Sequence, residues 1–98
     1  MVAKNEIKKI KLLLESAKSR CDVDDLKNAR NKIIEAKNSL HRLENELENK
    51  VGPNAIDLVF KEMQSAIANL GNSKNYSAKE NIVNAIKRVE VIILELKE

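Results

Sequence analysis

Cys21 and His41 are the chain's single thiol and single imidazole, so any covalent or general-base chemistry near neutral pH has to be built around them. A nucleophile, its base and an orienting group must lie within hydrogen-bond reach of one another. Here Cys21 stands in a connection and His41 deep in the following helical segment. At 1.5 Å per residue, that helix carries the imidazole about 25 Å or more from its own start. The two are therefore not expected to meet. A di-iron bundle needs Glu-x-x-His pairs, and the residue three before His41 is Asn38. No arginine stands at the spacing of the Arg/His ribonucleases either, the preceding arginine being Arg30. His41, Glu44 and Glu48 share one helix surface and could hold a stray cation, but a solvated helix face is much the simpler reading. Two glycines exclude a glycine-rich phosphate loop. Phe60 and Tyr76, the only aromatics, are too few for a base-stacking or carbohydrate platform. No catalytic residue, metal, cofactor or small-molecule substrate is expected.

Two kinds of binding surface remain. Residues 1–20 carry six basic and two acidic groups, and the other 78 residues come to a net −1, so the chain's +3 is local to its first helix. Lys4, Lys8, Lys11 and Lys18 fall within one narrow sector of that helix, with Glu15 in the same stripe. Such a stripe could meet phosphates of nucleic acid or an anionic membrane surface by counterion release. Lysine outnumbers arginine 14 to 4, and the stacking aromatics usual in nucleic-acid modules are lacking. The last helix carries the second surface. Val83, Val91 and Leu94 lie off its main apolar stripe, which predicts a patch left for a protein partner or a second copy.

The elements that would position these residues follow from apolar spacing of three and four. Ile7, Ile10, Leu14 and Ala17 mark a first stripe; Leu26, Ala29, Ile33, Ala36, Leu40, Leu43 and Leu47 a second. Ile56, Val59, Met63, Ile67 and Leu70 mark a third, and Ala78, Ile82, Ala85, Val89, Ile92 and Leu96 a fourth. Helices are predicted near 3–20, 23–50, 54–70 and 77–97. The acids of Asp22–Asp25 can cap the second helix, whereas Gly52-Pro53 ends it and Gly71 stops the third. Ser77-Ala-Lys-Glu80 reads as a capping box opening the fourth. With two Gly and one Pro, a turn-rich β fold is excluded.

Sliding the chain by 49 residues, half its 98, aligns Val2 with Val51, Asn5 with Asn54, Ile7 with Ile56, and Ser16-Ala17 with Ser65-Ala66. The same register pairs Ala29 with Ala78, Ile33 with Ile82, Ala36 with Ala85, and Glu46-Leu47 with Glu95-Leu96. These ten identities exceed the roughly three or four that composition alone gives; two hairpins phased alike would account for part of the match, and its ungapped extent over Asn5, Ser16 and three alanines favours internal duplication. The prediction is an all-α, up-and-down four-helix bundle in one domain of 1–98. It consists of two αα-hairpins, 1–50 and 51–98, related by a pseudo-twofold axis.

The longest apolar run, Val91 to Leu94, is far below the ~20 residues of a membrane span, and Leu12-Leu13-Leu14 is too short for a signal-peptide core. One cysteine suits a reducing compartment, so a cytoplasmic protein is expected. Asn75-Tyr76-Ser77 matches a glycosylation sequon, an easy coincidence among twelve asparagines. The leading functional expectation is a non-enzymatic protein-interaction or regulatory module, self-associating through helix 4. A nucleic-acid or membrane-surface binder through helix 1 is the alternative. A third, on architecture alone, is a bacteriocin-immunity-type protein, some of which are small basic four-helix bundles; none of their motifs is present.

Overall fold

The computed structural model describes residues 3–96, and within them the chain is four helices: α1 (Ala3–Asp22), α2 (Leu26–Val51), α3 (Pro53–Gly71) and α4 (Asn75–Glu95). Each packs on its neighbours in the cyclic order α1, α2, α3, α4, and the diagonal pairs scarcely meet. That is the up-and-down bundle which the four stripes require, since each stripe is a single helix face that only neighbouring helices can keep from water. The bundle measures 37 × 20 × 19 Å, its long dimension set by the 26 residues of α2.

The half-length repeat governs the interior. Among the described residues, every buried apolar side chain except Ala3 has a buried partner 49 positions away: Ile7 and Ile56, Ile10 and Val59, Leu14 and Met63, Ala17 and Ala66. Cys21 and Leu70 follow, then Ala29 and Ala78, Ile33 and Ile82, Ala36 and Ala85, Leu40 and Val89, Leu43 and Ile92, Leu47 and Leu96. No polar or charged side chain is buried among them. Val2, one of the aligned identities, and residue 97, the expected end of α4, lie outside the described residues.

The two hairpin turns are the same turn. Asp25 N–H donates to the Arg20 carbonyl at 2.8 Å, and Lys74 N–H to the Asn69 carbonyl at 2.7 Å. Inside those bonds, Asp24 N–H reaches the Cys21 carbonyl at 3.1 Å and Ser73 N–H the Leu70 carbonyl at 3.2 Å. This nested pair is a Schellman closure, whose left-handed residue is Asp24 (φ 59°) in one turn and Ser73 (φ 58°) in the other. The next residue then caps the following helix, Asp25 at φ −88°, ψ 70° and Lys74 at φ −91°, ψ 71°.

This closure corrects the expected capping box. It starts α4 at Asn75, so Ser77 and Glu80 are exposed residues of a helix already under way, and the cap residue is Lys74, with no side-chain hydrogen bond. The same geometry delays α2 to Leu26, where Asp25 does cap, accepting from the Asn28 amide at 3.4 Å. Gly71 belongs to α3, the left-handed position falling to Ser73. Only Gly52 separates α2 from α3. Its φ of 88° suits glycine, and Pro53 opens α3 where no amide hydrogen is needed. Cys21, expected in a connection, lies in the last turn of α1, 2% exposed, where burial pushes its thiol pKa up.

Candidate interaction surface

The pseudo-twofold relation provides a control for surface residues, because between the Gly52 and Leu96 ends the positions of hairpin 2 have helical or turn counterparts in hairpin 1 with the same buried partners. At the outer seam of hairpin 2, Ala55 and Leu58 of α3 meet Arg88, Val91 and Ile92 of α4 around one groove. Leu58 is 38%, Val91 52% and Leu94, one turn beyond, 83% exposed. Their counterparts 49 residues earlier are Lys9, Arg42 and Asn45. At that end of hairpin 1, Lys9 pairs with Glu6 at 3.4 Å and Arg42 donates to Ser39 Oγ at 2.9 Å. Leu12, also exposed, shares the corresponding groove of hairpin 1 with the half-buried Leu13 and with Glu6, Lys9, Glu35 and Arg42.

A polar ladder crosses the same seam of hairpin 2. Asn69 Nδ2 donates to Asn81 Oδ1 at 2.7 Å, Asn81 Nδ2 donates to Glu62 Oε1 at 3.1 Å, and Glu62 Oε2 lies 3.9 Å from Arg88 Nε. Arg88 Nε is buried and makes no hydrogen bond, so Arg88 is held beside Val91 by its charge contact with Glu62 and by packing. The equivalent residues of hairpin 1 are Arg20, Lys32, Leu13 and Ser39, which cannot build such a ladder.

Val83 departs from the expected patch. It is half-buried on the α1–α4 seam among Lys18, Ser19, Asp22 and Ile86, and Asn84, Lys87 and Arg88 intervene before Val91. Residues 83 and 91 are eight apart and their faces diverge by about 80°; Val83 and Leu94, eleven apart, share a face but stand about 16 Å apart along the helix. Leu58, which the structure places beside Val91, went unpredicted because it lies off the Ile56/Val59/Met63 stripe, and its partner on α4 depends on which helix packs there. Tyr76 and Val23 are further exposed apolar residues away from this seam.

The lysine stripe lies along the α1–α4 seam and is interleaved with acids. Lys11 Nζ lies 3.1 Å from Glu90 Oε2, and Glu15, Asp22 and Glu90 share a groove with Lys18 and Lys87. Asp22 pairs with Lys79; that hydrogen bond holds the carboxyl below its usual pKa and raises the lysine above its own. Lys8 is exposed, whereas Lys4, Lys11 and Lys18 are half-buried. The resulting field is weaker than the lysine count suggests, since opposite charges within a Debye length offset one another.

On the opposite seam, α2–α3, the counterparts of Glu90 and Lys11 are His41 and Phe60. Here the ion pair is replaced by a ring stack, with centroids 4.3 Å apart and planes at 25°. His41 Nδ1 also lies 3.2 Å from Glu44 Oε1. Glu48, two turns along, has its pKa raised by desolvation and by the neighbouring carboxylates of Glu44 and Asp57. Among the described residues, no group of three or more His, Cys, Asp or Glu side chains is placed to hold a metal ion, and no helix is long and apolar enough to cross a membrane. The Nδ2 of Asn75 in the sequon is engaged, donating to the Cys21 carbonyl at 3.2 Å and to Asp24 Oδ1 at 2.7 Å. No protein-family model, no curated protein and no solved structure matches this chain.

Proposed function

We propose that this chain is a non-enzymatic protein-interaction module that docks a protein on the outer seam of hairpin 2. The observation that carries this reading is the contrast between Leu58, Val91 and Leu94 and their hairpin 1 counterparts Lys9, Arg42 and Asn45. Hairpin 1 forms the same core with Lys9, Arg42 and Asn45 at these three positions, its own exposed leucine, Leu12, standing where hairpin 2 has Lys61, so folding does not demand apolar residues at them. Exposing them costs solubility without adding core, which is the signature of a surface kept for contact. The partly exposed charge of Arg88 beside the patch supplies the polar rim that such a surface needs.

The test grafts one hairpin's surface onto the other. The triple variant Leu58→Lys/Val91→Arg/Leu94→Asn, used as bait beside the wild type and a Leu12→Glu control in native cell extract, should lose the proteins that both others retain. Identical retention by all three baits would defeat the reading.

A further inference from the structure

The seam of hairpin 2 is complementary to itself. We infer that its occupant is a second copy of this chain, with the two α4 helices running antiparallel across a twofold axis; this rests on the reading of that seam as a docking surface. Val91 and Leu94 have the three-residue spacing of a and d positions. In an antiparallel pair a meets d, so Val91 of each copy packs on Leu94 of the other, and Leu58 of each α3 widens the apolar strip.

The charges select the partner. Arg88 and Glu95 lie one heptad apart on the flank of α4 that faces α3, both at e positions in this register. Seven residues span about 10.5 Å of helix, so the two do not pair within one copy. Across an antiparallel twofold axis, e faces e. Arg88 of each copy then meets Glu95 of the other, so that each guanidinium, whose Nε lies 3.9 Å from Glu62 Oε2 of its own chain, gains a second carboxylate. A patch bearing both members of an ion pair in an order that reads alike from either copy is what an isologous contact requires. Hairpin 1 carries Ser39 and Glu46 at these places and Arg42 and Asn45 between them, and offers no such pairing.

Sedimentation velocity on the full chain tests this. The strip is shorter than a standard interface, so the wild type should pass from monomer to dimer with a Kd on the order of 10–100 µM. Arg88→Glu alone and Glu95→Arg alone should each weaken the dimer by about tenfold or more, by placing like charges opposite. Mixed in equal amounts, the two variants should form a heterodimer within about threefold of wild-type affinity, because each then supplies what the other lacks. Circular dichroism checks that the variants are folded, and Leu94→Glu, at the most exposed position, breaks the contact without touching the Glu62–Arg88 neighbourhood.

A wild type that stays monomeric up to about 500 µM overturns the self-pairing. So does a dimer indifferent to Leu94→Glu, or a mixture that fails to recover. Loss of another protein's retention by the triple variant, with a monomeric wild type, would leave the docking surface standing with a different occupant. Failure of both experiments removes the surface itself.

Discussion

The first hairpin buries Ile33 and the second buries Ile82 at the same place in the core, yet where the first exposes Arg42 the second exposes Val91. The hairpins agree in every core pair and in both turns, down to hydrogen-bond lengths within about 0.1 Å, and diverge at their seams. Agreement reports what the bundle needs. A buried position can change only at the cost of a cavity or a clash, whereas an exposed one changes almost freely. Divergence therefore separates the residues available for function from those committed to the fold, and the apolar cluster of hairpin 2 is its clearest case. The seams between hairpins differ too: Lys11 and Glu90 pair by charge where Phe60 and His41 stack.

Core equivalence is the part of this comparison with the largest energies. Ile33→Ala and Ile82→Ala should each cost about 2–5 kcal/mol in urea unfolding, and the two should agree to within about 1 kcal/mol, since both sites are sealed on all sides. A twofold disagreement would show that the two halves do not pack equivalently.

The turns come next. Asp25→Ala removes a cap and should cost about 1 kcal/mol, whereas Lys74→Asp supplies the missing acceptor to α4 and should stabilise by about 0.5–1 kcal/mol in thermal melts. Ser73→Gly relieves a left-handed serine and should add about 0.5–1 kcal/mol. Asp24→Gly should gain less, because Asp24 also accepts from Asn75 Nδ2.

Acid sensitivity should be concentrated in the α1–α2 turn. Asp22 and Asp25 have folded pKa values held below their unfolded ones, by the hydrogen bonds from Lys79 and Asn28 respectively. Their stabilisation is present above the unfolded pKa near 4 and is lost as pH falls through the folded values. Glu48 is raised, so it acts with the opposite sign: stability increases as it is protonated on descending through its folded pKa, before the aspartates fail. Asp22→Asn should flatten the acid limb of a stability–pH curve. Gly71, its counterpart beside Arg30, has no group to titrate.

The smallest stability effect belongs to the surface graft. Leu58→Lys/Val91→Arg/Leu94→Asn should shift unfolding by no more than about 0.5 kcal/mol per site while abolishing self-association. A large loss of stability would reassign these residues to the fold.

Much of this was legible in the chain. Ile7 through Leu96 fall at three-four spacing, and each buried side chain repeats half a length later, so helix faces and their pairing could be read without a structure. The start of α4 was not, because Ser77-Ala-Lys-Glu80 is a sound local signal overruled by a turn whose left-handed residue is a serine. Nor was the candidate surface complete. Val91 and Leu94 stood out as surplus apolar residues, but Val83 looked the same and turned out to face α1, and Leu58 gave no sign of its place.

What the sequence determined by itself is the one-dimensional part: four helices, the face each buries, and the register that makes two hairpins alike. Periodicity carries that information because a helix places every third or fourth residue on one side whatever surrounds it. Only the tertiary structure decided which off-stripe residues are covered and which stand together, since a flank is buried or exposed according to the helix packed beside it. Val83 is shielded by α1 while Val91 lies open next to Leu58 of α3, and the distinction between a wider core and a docking surface rests on that neighbour.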